Sequence, residues 1–314
     1  MNRSSVTEFI LLGLSLSEKT RICIFIVFLL IYTITILANV LIIILVYSNH
    51  QLHSPMYILL SSFSFLEICY TAVTVPKMLS DLSHHNPASI SVVGCFTQYN
   101  FFSLCAATEH FILVVMAYDR YIAICFPLRY GSIMTNKVCI QLILICWCIS
   151  ILSVLIPAFF LSKLIFCGPN KIDHFFCEFN PLLKLSCSNT HIIQIIFNSL
   201  SWIIIVGCLL CIAVSYFCII SAIVKIPSRL GKTKTFSTCA SHLTVVGIFY
   251  GTVISIYLRP TVNTTFQQNK VVSVFYIVVT PVLNPIIYSF RNELLRKAVS
   301  ILVIRIRMQC FCRQ

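Results

Sequence analysis

The stretch "FFSLCAATEHFILVVMAYDR" (Phe101–Arg120) is an apolar run closed by an adjacent acid and arginine, with one further acid, Glu109, inside it. Taken back to Phe96 it is long enough to cross hydrocarbon roughly 30 Å thick, which needs about 20 helical residues. From Arg120 back to Cys95 is roughly 37 Å of helix at 1.5 Å per residue, so the two residues mark opposite membrane faces. Glu109 then lies roughly 16 Å from Arg120, near the bilayer middle. At about 100° per residue, Phe102, Ala106, Glu109, Leu113 and Arg120 share one stripe. A carboxyl facing lipid at that depth is costly, so the stripe must face other helices.

The rest of the chain repeats this design. Its 314 residues are 59% hydrophobic and 10% charged, and mean hydropathy is +0.95. A soluble domain cannot hide that much apolar surface. Seven runs of spanning length are read at 22–47, 57–79, 96–120, 139–161, 194–224, 236–258 and 271–290. The expected fold is an all-α membrane protein, a seven-transmembrane helix bundle. Residues 1–21 form an outer tail, 22–290 the bundle, and 291–314 a short amphipathic inner helix and tail. No cleavable signal is read, because the first run is too long for a signal core; the first helix is expected to insert the chain itself. The formal charge of +13 is scattered over short segments between the runs, which leaves no basic domain for nucleic acid.

An odd number of spans puts the two ends on opposite sides. With the amino end outside, the inner segments hold thirteen Lys/Arg against two acids, and the outer segments nine against five. That is a modest positive-inside bias. The sequons at Asn2 and Asn263 both fall outside, as glycosylation requires. Of seventeen cysteines, Cys95, Cys167, Cys177 and Cys187 lie in or beside outer segments. Four cysteines on the oxidising side suit two disulfides, and three pairings are open. Cys310 and Cys312, just past a basic amphipathic stretch, are candidates for palmitoylation.

Four polar side chains fall at similar depth inside the spans: Asn39, Glu67, Glu109 and Asn284. Two nearby carboxyls in low dielectric cannot both stay charged without a cation or shared protons. One reading is a water-filled pocket able to hold a sodium ion; the other is a pair of protonated, hydrogen-bonded acids. Pro285 disturbs the seventh helix, and Asn284 beside it is expected to re-satisfy the freed backbone groups. Asp119–Arg120, flanked by Tyr118 and Tyr121, reads as either a boundary pair snorkelling to the interface or a functional one.

With these residues placed, the chain resembles a rhodopsin-like G-protein-coupled receptor, specifically a vertebrate olfactory (odorant) receptor. The resemblance runs from about Phe9 to about Asn292. It rests on "TEFILLGLS", "LHSPMYILLS", "MAYDRYIAICFPLRY", "KTFSTCASHLTVV", "FYGT", "PVLNPIIYSFRN" and the outer-loop frame "FCGPNKIDHFFCEFNPLLKLSC". It implies disulfides Cys95–Cys177 and Cys167–Cys187. It also implies that Asp119 holds Arg120 at rest and releases it on activation toward a G protein, Tyr216 and Tyr288. Tyr121, Lys234, Asn284 and Pro285 belong to the same coupling set, and Lys232 and Thr235–Cys239 line the inner end of the sixth helix. Implied partners are a small odorant, a stimulatory heterotrimeric G protein acting through cyclic AMP, and membrane lipids. The implied place is the plasma membrane of olfactory cilia. The chain departs from the family pattern at Glu67 (usually Asp), Ala38 (usually Gly) and Glu293–Leu294 (usually Lys–Glu).

The third helix carries Phe102, Ser103, Ala106 and Ala107 where amine receptors carry an acid, which argues against ammonium ligands. Facing candidates are Ser201, Ile204, Val253, Ile254, Tyr257 and Ile277. Aliphatic walls with one or two hydroxyls suit a small, neutral, largely apolar molecule. A volatile of about ten heavy atoms, at a few tenths to somewhat under ~1 kcal/mol per atom, binds in the micromolar-to-millimolar range. In "HFFCE", His174, Cys177 and Glu178 have a spacing that suits Cu or Zn, provided Cys177 is not in a disulfide. A multi-pass transporter or channel using Glu67 and Glu109 as an ion or proton site is the rival reading, although no inverted repeat is visible. No enzyme is expected: the chain has no Gly-x-Ser-x-Gly or paired-Asp site, and His110 and His242 do not form a ligand-spaced set. No cofactor is expected apart from the sodium ion.

Overall fold

The computed structural model describes residues 6–14, 16–84, 88–167, 170–257, 266–291 and 293–311. Seven long helices follow one another. They are α1 (Glu18–Ser48), α2 (Pro55–Ser83), α3 (Val92–Cys125), α4 (Asn136–Ser162), α5 (His191–Lys225), α6 (Arg229–Tyr257) and α7. The last passes from Phe266–Val274 through a π-type turn at Phe275–Val279 into Thr280–Arg291. A further helix, α8 (Glu293–Phe311), comes after it. Six of the seven carry windows long and apolar enough to cross a membrane, and α6 supplies the shorter apolar segment Cys239–Ser255 beyond a basic inner end. The sequence codes the helix starts locally. Ser17, Ser91 and Thr135 cap α1, α3 and α4, accepting bonds from the amides of Thr20, Gly94 and Val138. Each such cap is worth about 1 kcal/mol.

Burial separates the lipid face from the interior. Ile22, Leu30 and Leu37 of α1 and Leu144, Leu152 and Leu155 of α4 are exposed, as lipid-facing side chains must be. In α3 the buried positions cover most of the circumference, and the helix packs against α2, α4, α5 and α6. Helix α7 closes the ring against α1, α2 and α6. The stripe read from sequence is inward: Glu109 and Leu113 are buried, and only 13% of the Arg120 side chain is exposed.

The outer end holds a three-stranded sheet. Strand β1 (Glu8–Leu11), within the segment expected as a tail, lies between β2 (Ala88–Ser91) and β3 (Lys171–Ile172). It pairs antiparallel with β2 (Glu8 opposite Ser91) and parallel with β3 (Ile10 opposite Lys171). The two-residue period of a strand sends Phe9 and Leu11 to the same face, and both are fully buried. With Cys95, Tyr99, Cys177 and Phe179 they build a second core distinct from that of the bundle. The chain leaves β1 through Gly13 at φ +59, a conformation that glycine adopts without a Cβ clash. Gly13 then donates its amide to the His174 carbonyl at 3.2 Å.

Candidate functional site

Between α3, α5, α6 and α7 lies a cavity of about 710 Å³. Of the residues expected to meet a ligand, Phe102, Ser103, Ala106 and Ala107 line it from α3, and Ser201 and Ile204 from α5. Val253 of α6 and Ile277 of α7 complete that set. Ile254 does not line it and is 36% exposed. The correction has a simple cause: with Val253 turned inward, the next residue is rotated by about 100° and faces away. The side chain of Tyr257 lies outside the described residues, as do Asn2, Asn263, Cys312 and the side chains of Lys234 and Cys310. Tyr276, beside Ile277, also reaches the cavity; both sit in the π-type turn, whose extra residue re-aims the side chains that follow. Alternating aromatic and aliphatic residues along α7 give no sequence sign of that turn.

The loop between α4 and α5 roofs the cavity. His174, Phe176 and Glu178 reach it from above, and Phe176 meets Phe102 at 4.9 Å between ring centroids. The loop is fixed by both expected pairs, Cys95–Cys177 (Cα–Cα 5.4 Å) and Cys167–Cys187 (5.9 Å). Residue spacing left the pairing open; the resemblance chose it. A bonded Cys177 offers no thiolate, which removes the sulfur from the Cu/Zn reading of His174 and Glu178. Among the described residues no three His, Cys, Asp or Glu side chains come together. His174 Nε2 lies 3.4 Å from Glu178 Oε2. Burial, aided by the charge of Lys270, pushes the His174 imidazole down to about 3, and burial lifts the Glu178 carboxyl to about 7. The contact is therefore between a neutral ring and a carboxyl that burial makes a weaker acid, rather than an ion pair.

Lys270 of α7 fastens this roof to the amino-terminal strand. Its buried ammonium donates to the Gly13 carbonyl at 2.9 Å and to Asp173 Oδ1 at 2.6 Å. Lys270→Met keeps the packed stem and removes both bonds. Losing these two charge-assisted bonds, weakened by the exposure of Asp173, favours local opening by about tenfold. Amide exchange at residues 10–13 and 172–174 should rise by that factor while α3 is unchanged. Equal exchange in the two proteins would mean that Lys270 does not hold the strand.

Deeper in the bundle, Asn284 Nδ2 donates to Glu67 Oε1, and the Glu109 carboxyl interacts electrostatically with that of Glu67. The expectation that Asn284 mends the backbone around Pro285 is corrected. Pro285 leaves the Pro281 carbonyl without its helical donor, and Asn39 Nδ2 of α1 reaches that oxygen at 3.5 Å. Asn284 is thereby free to turn toward α2.

At the inner end of α3, Arg120 donates to Asp119 Oδ2 at 2.8 Å. The other oxygen of Asp119 accepts the Tyr130 hydroxyl at 2.7 Å. Tyr130 belongs to the short helix Tyr130–Ile133 just beyond α3. Tyr121 packs edge-on against Phe126. The Tyr216 hydroxyl bonds His242 Nδ1 at 2.8 Å, and His242 Nε2 meets the Leu113 carbonyl at 3.2 Å. Since a carbonyl only accepts, Nε2 carries the proton and Nδ1 takes Tyr216's. Tyr216 is thus tied to α6 rather than to Arg120, and the Tyr288 hydroxyl has no hydrogen-bond partner. Tyr130 and His242 are members of this set that residue spacing did not single out.

A closed seven-helix bundle, with a roofed cavity at one end of α3 and an acid-held arginine at the other, defines a receptor of the G-protein-coupled class. Comparison with known proteins narrows this. The olfactory receptor family model matches residues 28–306. Olfactory receptor 1468 of Rattus norvegicus is 43% identical over 298 residues, covering 95% of each chain. Olfactory receptor 11L1 of Homo sapiens is 46% identical (95% and 92% covered), and Olfactory receptor 5AP2 of Mus musculus 47% (95% and 94%). The chain belongs to the olfactory receptor family: a multi-pass membrane receptor for odorants that couples to a G protein, and not an enzyme.

Proposed function

We propose that this receptor takes a small, mostly apolar volatile into the cavity under the roof and activates a stimulatory G protein, raising cyclic AMP. The observation that carries the reading is the cavity itself. Its α3 wall is Phe102, Ser103, Ala106 and Ala107 with no acid, and Val253 and Ile277 face that wall. Such walls reward burial of apolar surface, and the acid in the lining, Glu178, sits at the roof rather than on α3. Binding is weak for so small a ligand, so activation depends on preference for the active state rather than on affinity. Membrane lipids surround the exposed aliphatic residues of α1 and α4. The cluster of Asn39, Glu67, Glu109 and Asn284 is proposed as a water or sodium site. Its donors are all oxygens, and Asn39 Oδ1 and Asn284 Oδ1 are buried without partners, which fits a hard cation. The transporter reading is not favoured, because the chain belongs to the olfactory receptor family.

The test expresses the chain with an olfactory-type stimulatory G protein and records cyclic AMP against neutral volatiles. A dose-dependent rise supports the reading. Ion flux that proceeds without any G protein, from protein present at the surface, would sink it.

A further inference from the structure

His110 lines the floor of the cavity, one turn of α3 below Ala106. Its Nδ1 lies 2.8 Å from the Ala106 carbonyl. A carbonyl can only accept, so Nδ1 carries the proton. The ring packs against Phe249 and Tyr250, at 4.7 and 5.5 Å between centroids. No ion pair to it occurs among the described residues. A buried imidazole in such surroundings is neutral. Its Nε2 is then a bare lone pair, and that atom is buried with no hydrogen-bond partner.

We propose that His110 is the cavity's ligand-orienting acceptor, so that the molecules this receptor selects are alcohols or phenols whose hydroxyl donates to His110 Nε2. The proposal rests on the odorant-receptor reading above and names the ligand class within it. Other polar groups on the walls make a less definite demand. Ser103 and Ser201 are hydroxyls, which both donate and accept and so discriminate poorly. His174 at the roof also has both ring nitrogens buried without a hydrogen-bond partner, but no carbonyl fixes its tautomer, so it can donate as well as accept. His110 alone presents an acceptor whose tautomer is fixed by its own helix. Aldehydes, ketones and ethers bring only lone pairs to it and leave it unpaired. A site built around a hydrogen bond rejects an analogue that lacks the bonding group more strongly than one built on shape alone. Ala106 and Ala107, small residues just above His110, leave room for a hydroxyl to descend while the alkyl or aryl body lies against Phe102, Val253 and Ile277.

The test uses isomeric pairs, so that size stays fixed: alcohols of five to ten carbons, each beside the methyl ether of the same molecular formula, as octan-1-ol beside 1-methoxyheptane. Binding to the purified full chain is read by thermal shift. The wild-type protein should bind the alcohols at least about tenfold more tightly than the ethers. In His110→Phe the two should fall within about twofold of each other, with ether affinity retained. Equal affinity in the wild type overturns the proposal, as it would if the neighbouring Tyr250 hydroxyl turned to satisfy Nε2. So does a preference that survives His110→Phe, or failure of every pair to bind. Equal affinity in the wild type is decisive even if the variant does not fold. Cyclic AMP is recorded separately: an alcohol that binds with the expected preference yet leaves the cell silent counts against G-protein coupling and leaves the anchor standing.

Discussion

Arg120→Ala is expected to abolish odorant-stimulated cyclic AMP, at least tenfold below wild type, with surface level unchanged. The guanidinium is the one strong multidentate donor at the inner end of α3, and its planar fork suits carbonyls and carboxylates of a docking partner. In the present arrangement it is engaged by Asp119, whose side chain is 1% exposed. Asp119 is itself held by Tyr130. Tyr216 is bonded to His242, which keeps α6 against α5 and α3. The arginine is therefore restrained, and of the two tyrosines that the resemblance implies as its partners, Tyr216 is occupied while the Tyr288 hydroxyl is unpaired. Alanine removes the donor itself, and no neighbour can replace it. Tyr130→Phe should act in the opposite direction. It deletes one of the bonds that hold Asp119, worth about 1 kcal/mol, so basal cyclic AMP should rise about fivefold. An Arg120→Ala receptor that still signals fully would separate this pair from coupling and return it to the role of an interface anchor.

The helices are legible in the sequence because hydrocarbon imposes one requirement on each segment: about 20 residues with few charges. Glu109 and Arg120 then set depth and facing for α3 by simple geometry, and both lie where that geometry puts them. The α6 span is the least clear, since only Cys239–Ser255 is strongly apolar and the helix continues inward through a basic stretch. The outer sheet is not legible. "EFIL" is four residues long, and its partners are about 80 and 160 positions away; no local period can announce such pairing.

The cavity divides in the same way. The α3 and α5 positions follow from helical rotation and line it, whereas Ile254 shows how one residue's error turns a side chain from ligand to lipid. The bonds that give the site its chemistry join distant residues: Tyr130 to Asp119, Asn39 to Pro281, Lys270 to Gly13. None has a fixed spacing. His110 differs, because its partner is its own carbonyl at i−4. That relation is common to many helical histidines, and only the aromatic wall around the ring shows that the other nitrogen is left unpaired.

Cys95→Ser or Cys177→Ser is expected to remove the receptor from the cell surface, and the two changes together should do no more than either alone. The bond closes a separation of 82 residues, for which loop entropy in the unfolded chain gives up to about 4.5 kcal/mol. That corresponds to a fall in melting temperature of up to about 7 °C. Its position adds to this. The Cys177 amide donates to Gln98 Oε1 at 3.0 Å, and Gln98 Nε2 donates to the Val73 carbonyl at 3.1 Å. The disulfide therefore sits where α2, α3 and the roof meet, inside the core that also buries Phe9 and Leu11. Releasing it unpins the roof from α3 and takes the cover from the cavity. Cys167–Cys187 spans only 20 residues, and both its cysteines are exposed. Cys167→Ser should thus cost less, about 3 kcal/mol by the same relation, and leave a measurable surface population. Surface staining and the melting temperature of the four variants check the order. If Cys167→Ser proves the more damaging, the roof is held by the α4–α5 loop's own closure rather than by its attachment to α3.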